Sequence, residues 1–447
     1  MKLYPASRWL LVALIVVGAL GWAVSGLRLY ARLAYLGVLL VAGAGLWVVL
    51  SMRGVRLERR TRTLRASMGE VLEEQFEITN TTWPGPAWLE VLNQSDLPTA
   101  AGSRLVTGLG THQRRFYAAR TLLTRRGAYR LGPTLLTSGD PFGLFRVQRR
   151  IPARDTLLVM PMVAPIADFP PPPGILPGGK TIRRRTMDVT PHAAGVREYV
   201  PGDPMRRVHW PSTARRGRFM VKEFEQDPQA DIWIFLDAKH DIHASLPDEP
   251  LYLPQEGWWI RRPIIRLPHA SFEYAVSAAA SLAAHFLAER RAVGLACAAG
   301  HFTIVPAERG PRQAGKLMET LAFLQPDGSM PLIGMVAMQA RLLPLGSGVI
   351  LITPSAQPEL LLAVEDLQRR NLRPVVVLLK AETFGGKAGG NEADGYSAED
   401  VASGLLIRGV PVCHLGYGDD LGLQLALPVV YFQRPYLPKS YLGAGHG

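Results

Sequence analysis

Two long stretches without a single charge constrain this chain more than anything else in it. Trp9–Leu27 reads WLLVALIVVGALGWAVSGL and Leu33–Ser51 reads LAYLGVLLVAGAGLWVVLS. At 1.5 Å per helical residue, each is long enough to cross a hydrocarbon layer of ~30 Å. The first stretch exceeds the ~7–15-residue apolar core of a secretion signal, no small-residue cleavage site precedes polar sequence, and a second span follows at once. A pair of transmembrane helices is therefore expected, with spans at about 9–27 and 33–51. Tyr4, Trp9, Trp22, Tyr30, Tyr35 and Trp47 fall near the span ends, where amphipathic rings prefer to sit.

Arginine and lysine set the expected orientation. Lys2 and Arg8 precede the first span, Arg28 and Arg32 occupy the short connection, and Arg53, Arg56, Arg59, Arg60, Arg62 and Arg65 follow the second. The heavy cluster stays inside, which puts both termini and all soluble domains in the cytoplasm, on a multi-pass protein of the plasma membrane. The lipid bilayer is thus an expected partner. Its anionic surface accounts for part of the formal net charge of +13, and no nucleic acid need be invoked.

The 447 residues divide by composition. Residues 1–54 form the transmembrane hairpin, 55–165 a β-sandwich-like domain, 166–195 a Pro/Gly/Arg-rich linker, 196–230 a distinctive signature segment, and 231–447 an α/β domain. In 55–165 the short alternating runs Glu74–Thr79, Ala87–Leu92, Arg114–Ala119, Gly127–Leu131 and Leu157–Met160, separated by Gly and Pro, read as antiparallel strands. Arg114, Arg115, Arg120, Arg125, Arg126 and Arg130 read as a solvated basic face, with a lipid- or partner-facing patch as the alternative. Asp140-Pro-Phe-Gly-Leu-Phe145 reads as a glycine-punctuated corner.

Two chemistries are weighed and set aside. Gly174–Thr181 matches the phosphate-loop pattern GxxxxGK[ST], but Pro170–Pro173 cannot supply the strand that must lead into it, and no helical face follows. A nucleotide-binding enzyme remains only an alternative. Cys297 and Cys413 lie in separate apolar runs and read as core residues. No ligand spacing or nucleophile–base order stands out, so neither an enzymatic activity nor a cofactor is expected.

In the C-terminal half, strands alternate with amphipathic helices. Asp231–Leu236, Val293–Ala298, Val349–Thr353, Val375–Leu379 and Val410–Leu415 read as strands, with a hairpin return at Phe302–Val305. Ser271–Glu289 places Phe272, Val276, Ala279, Leu282, Ala283 and Phe286 on one helical face. Helices follow near Arg312–Leu324, Leu332–Leu342 and Glu359–Arg370, and a last one after Ser397–Asp400. Such alternation gives a mostly parallel sheet with helices on both faces.

The most specific stretch is Val196–Glu225, in which Arg197-Glu198-Tyr199, Pro201-Gly202-Asp203, Arg206-Arg207-x-His209-Trp210 and Ala214-Arg215-x-Gly217 occur in order. Arginine pairs bidentately with carboxylates, so Arg206, Arg207, Arg215, Arg216 and Arg218 among Glu198, Asp203, Glu223 and Glu225 read either as an internal ion-pair network or as a docking surface. This stretch resembles the signature of the domain of unknown function 58 family, as do Arg126-Gly-Ala-Tyr129, Asp140–Phe145 and the paired-helix anchor. The resemblance implies a von Willebrand factor A-like domain, a β-sandwich and a membrane anchor. It also implies association with a MoxR-type AAA+ ATPase and a role in assembling or maturing a client protein. On that basis Arg197, Glu198, Tyr199, Asp203, Arg206, Arg207, His209, Trp210 and Arg215 are the candidate partner-binding residues.

The family's fold further implies a metal site of Asp-x-Ser-x-Ser type beyond the first strand of the sheet. Here that position reads Asp237-Ala-Lys239-His-Asp241, in which a cation replaces the first serine, and the later strand ends Thr353-Pro-Ser355 without an acid. Lys239 would repel a divalent cation. The expectation is a metal-free interaction scaffold, with a divalent-metal-dependent binding module as the alternative.

Overall fold

The computed structural model describes residues 2–3, 5–167, 169, 193–200, 205, 208–224, 230–247, 266–385 and 398–426. Most of the expected linker and the whole Gly174–Thr181 motif lie outside the described residues.

After a two-residue strand β1 (Lys2–Leu3), the chain forms helix α1 (Pro5–Ser25), turns at Gly26-Leu27, and continues as α2 (Arg28–Arg53). The helices pack antiparallel because glycines let their backbones approach. A Cβ on Gly18 would lie 2.7 Å from the Ala34 amide nitrogen, and one on Gly37 would lie 2.7 Å from the Ile15 side chain. Helix α2 is long and apolar enough to cross a membrane, and most of its apolar surface is exposed. The described apolar part of α1, Leu11–Ser25, is shorter.

Helix α2 runs straight into a β region made of β2 (Val55–Thr61), β3 (Arg65–Ser67), β4 (Val71–Asn80), β5 (Trp88–Asn93), β6 (Arg104–Thr107), β7 (Arg114–Leu122), β8 (Gly127–Leu131), β9 (Thr134–Gly139), β10 (Phe145–Ile151) and β11 (Asp155–Met160). The sheet orders are β1-β10-β9-β5-β6, β2-β4-β7 and β3-β11-β8. Strand β4 alternates buried Leu72, Phe76 and Ile78 with outward polar residues, as a half-buried strand should. Met52 and Val55 continue the helix into the same core as Ile78, Leu89, Val91 and Leu136.

Beyond it, β12 (Ala193–Glu198), α3 (Trp210–Arg216) and β13 (Met220–Phe224) form a small unit on a two-stranded antiparallel sheet. The α/β region then comprises β14 (Ile232–Leu236), α4 (Ser271–Ala288), β15 (Val293–Ala298), β16 (Phe302–Glu308), α5 (Pro311–Phe323), α6 (Leu332–Gln339), β17 (Gly348–Thr353), α7 (Glu359–Arg369), β18 (Arg373–Leu379), α8 (Ala398–Ile407), β19 (Val412–Leu415) and α9 (Leu421–Ala426). Its sheet runs β16-β15-β14-β17-β18-β19, parallel except for β16.

Strand β14 is buried on both faces, which is why it reads as an unbroken apolar run. Ile232, Ile234 and Leu236 face the core beneath α4, α5 and α9, while Trp233 and Phe235 face the core beneath α6, α7 and α8.

The β region and the α/β region share the first of these cores. Met68, Leu97, Leu123, Leu131 and Leu157 join Phe272, Val276, Leu317 and Leu321 in it. Arg126, expected on a solvated face, is instead buried at this junction. Its guanidinium donates to the carbonyls of Leu321 (3.1 Å) and Leu324 (2.7 Å), pairs with Glu273 and lies over the Phe272 ring. The arginine is buried because partners distant in sequence replace its water shell.

Candidate functional site

The signature folds as a strand, a helix and a returning strand, and its residue types follow from that geometry. His209 caps α3: its Nδ1 accepts from the Ser212 amide (3.3 Å) and meets the Ser212 hydroxyl at 2.7 Å. Pro211 sits in the first turn, where its missing N–H costs nothing. Gly217 ends the helix at φ 66°, a left-handed conformation that glycine adopts freely. The Thr213 hydroxyl accepts from the Met220 amide (3.0 Å), and His209 N–H donates to the Met220 carbonyl (2.7 Å), tying α3 to β13.

This framework displays an aromatic group to solvent. Trp210 is 61% exposed and Phe219 48% exposed, packed edge to face at 6.4 Å, with Tyr199 leaning on Phe219 at 6.1 Å. Val200 and Met205 are also exposed apolar residues of this unit. Exposed Arg215, Arg216 and Arg218 lie on the same short stretch, and Arg218 forms an ion pair with Glu198. Exposed aromatic rings on a stretch rich in exposed arginine have the composition of a protein-binding hot spot. Of the expected partner-binding residues, Glu198, Tyr199, His209, Trp210 and Arg215 are brought together here. The side chain of Arg197, and Asp203, Arg206 and Arg207 entirely, lie outside the described residues. Phe219 was not among the expected residues, although its position between Arg218 and Met220 already marked it as an apolar side chain on a charged segment.

The second feature lies just past the C-terminal end of β14. Asp237 is buried; its Oδ2 accepts from the Thr353 hydroxyl (2.8 Å) and its Oδ1 from the Lys239 amide (3.3 Å). Burial pushes its carboxyl up to about 6, partly offset by those two hydrogen bonds and the Lys239 charge. Beside it, His243 Nε2 lies 3.0 Å from the Asp237 carbonyl and Nδ1 lies 3.0 Å from the Ser271 hydroxyl. Those partners suit a neutral ring that donates from Nε2 and accepts at Nδ1. Burial lowers its pKa to about 4.

Asp241 does not converge on Asp237: its carboxylate engages Lys239 at 3.5 Å and His240. Among the described residues, no three His, Cys, Asp or Glu side chains gather as a metal cluster would require. Cys297 and Cys413 are both buried, and burial pushes each thiol up to about 12, which leaves them inert as nucleophiles.

Residues 195–244 match the family model described as Protein of unknown function DUF58. By this match the segment is similar to the DUF58 family. The matched segment takes in both features, the α3 unit and the end of β14 with Asp237, Lys239, Asp241 and His243. A relative, the uncharacterized protein YeaD of Bacillus subtilis (strain 168), is 24% identical over 211 residues, 46% of this chain and 45% of that protein. The chain thus spans under half the length of that relative. Among solved structures, proximal thread matrix protein 1 from the mussel byssus is similar over 44% of this chain and 46% of its own, at 12% identity and a TM-score of 0.28. The CARDB domain of the PF1109 protein from Pyrococcus furiosus is similar over 24% of this chain and 91% of its own, at 14% identity and a TM-score of 0.18.

Proposed function

We propose that this chain is a membrane-tethered, non-catalytic interaction scaffold. In this reading α1 and α2 both cross the plasma membrane, the arginine-rich segment after α2 stays inside, and the soluble regions are cytoplasmic. The α/β region is of von Willebrand factor A type, and its DUF58 segment docks a MoxR-type AAA+ ATPase that helps assemble or mature a client protein.

The observation that carries the reading is the pair of exposed rings Trp210 and Phe219, with half-buried Tyr199 against Phe219 and arginines on the same stretch. Large aromatics set in water on a short, hydrogen-bonded unit have no role in the core, and burying them against a partner is favourable by about 25 cal/mol per Å² of apolar area. Affinity purification of the tagged full-length chain from detergent-solubilised membranes tests it. The wild type should retain an AAA+ ATPase subunit, and Trp210→Ala with Phe219→Ala should lose it at unchanged melting temperature. Equal retention by both proteins would refute the docking surface.

A divalent-metal-dependent binding module is the second reading, favoured by a buried carboxylate at the strand end where such folds bind ligands. Against it stand Lys239 beside the carboxylate and the Thr353 hydroxyl already bonded to it.

A further inference from the structure

The strand registers place three inter-strand turns at the end of the β region from which the helical hairpin emerges. Val55, directly after α2, pairs with Asn80 at the end of β4, and Thr79 pairs with Arg114 at the start of β7. Trp88 pairs with Thr107, Leu89 with Ser138, and Gly139 with Arg146. The turns 81–87, 108–113 and 140–144 therefore all face the hairpin. The first is fastened to the helix end, since Thr81 N–H donates to the Gly54 carbonyl at 3.0 Å. The third packs on the helix: Leu144 and Phe145 share a cluster with Ala44, Val48, Val41 and Leu11. The opposite end of the β region is buried in the core shared with α4 and α5.

Two of these turns carry a large aromatic at an exposed position. Trp83 is 77% exposed and Phe142 63% exposed. Phe142 is held outward by a rigid turn, in which Asp140 Oδ1 accepts its amide at 2.8 Å and Gly143 adopts φ 72°. Exposed Arg53 closes α2 at the same end. The helix supports a specific level for the lipid. From Arg28 to Trp47, α2 rises about 30 Å, the thickness of a bilayer core, with the long side chains of Arg28 and Arg32 able to reach its outer boundary. The span expected at 33–51 shifts toward Arg28 because Ser51 and Met52 are already buried against the β region. The boundary then falls beside Ala44–Val48, the level at which the Phe142 turn packs.

We propose that the β region rests directly on the lipid surface, with Trp83 and Phe142 seated in the headgroup layer on turns flanking the hairpin. This inference rests on the membrane reading given above. The amphipathic ring of tryptophan favours that layer, the phenyl ring gains by burial at its acyl boundary, and a guanidinium there gains from anionic lipid. Seating by two turns and a hairpin fixes the height and tilt of the α/β region above the membrane, so that the DUF58 face is presented at a set distance from it.

Nitroxide labels on single cysteines test it in the full-length chain reconstituted in phosphatidylcholine–phosphatidylglycerol vesicles. The native cysteines are buried and do not compete for the label. Labels replace Leu39 on the exposed face of α2, Trp83, Phe142, and Gln94 at the opposite end of the β region. Collision with lipid-soluble oxygen relative to a water-soluble nickel chelate should be several-fold higher at 39, 83 and 142 than at 94. A lipid-exposed label at 39 with water-exposed labels at 83 and 142 would overturn the inference alone. A water-exposed label at 39 would overturn the membrane reading beneath it. Immobile labels at 83 and 142 with mutual spin broadening would place a second copy there, and would equally overturn the proposal.

Discussion

Asp237 and His243 sit side by side with pKa values displaced toward each other, and the substitution Asp237→Asn separates their effects. The carboxyl moves from 3.8 to about 6, which corresponds to about 3 kcal/mol. Because the folded pKa lies above the unfolded one, the stability linked to Asp237 is fully present below pH 3.8 and lost as pH rises through about 6. His243 moves from 6.5 to about 4, again about 3 kcal/mol but of opposite sign. Its contribution is fully present above pH 6.5 and lost as pH falls toward 4.

Between pH 4 and 6.5 the two slopes nearly cancel in the wild type. In Asp237→Asn only the histidine slope remains, so stability should rise by about 3 kcal/mol across that window relative to wild type. For a unit of 150–250 residues this is a melting shift on the order of 6–12 °C. The assay is thermal unfolding of both detergent-solubilised proteins at half-unit pH steps, read as the difference between the profiles. Burial also raises the carboxyls of Glu74 and Asp231, and this background is common to both proteins. Parallel profiles would show that Asp237 does not titrate in this window and refute the burial argument.

Three further outcomes follow from the packing. Arg126→Met should cost about 3–5 kcal/mol, because it leaves Glu273 and two carbonyls without their cation at the junction of the β and α/β regions; chemical denaturation reads it. Gly328→Ala should lower the melting temperature by several degrees, since its Cβ would stand 2.0 Å from the Ala298 carbonyl oxygen. Calorimetric titration of the purified chain with Mg²⁺ should give no binding heat; a saturable heat lost in Asp237→Asn would favour the metal-dependent reading.

Much of the α/β region was legible because burial there follows a simple period. Phe272, Val276, Ala279, Leu282, Ala283 and Phe286 are all buried along α4, and β14, β15 and β17 are apolar runs because helices cover both faces. Strand β10 was not legible, since arginines at 146, 149 and 150 break its alternation while its partner β9 supplies the pairing. Helix α3 escaped because it has no buried face and is specified by caps, His209 at one end and Gly217 at the other. The short α9 after β19 also went unread, its six residues being too few for a periodic pattern.

The site divides in the same way. Trp210 and Arg215 could be named from the signature, whereas the pairing of Asp237 with Thr353 spans 116 residues and exists only because β14 and β17 are neighbours. His209, expected at the docking surface, turns out to hold the N-terminus of α3, so its side chain positions Trp210 as well as lying beside it.

A photo-reactive phenylalanine analogue in place of Phe219, irradiated in intact cells, asks most directly whether the aromatic face meets a partner at the membrane. The account predicts a crosslink to a cytoplasmic AAA+ ATPase subunit, in the membrane fraction and dependent on Trp210. A residue 219 that crosslinks to no protein, or only to reagents added outside the cell, would contradict it.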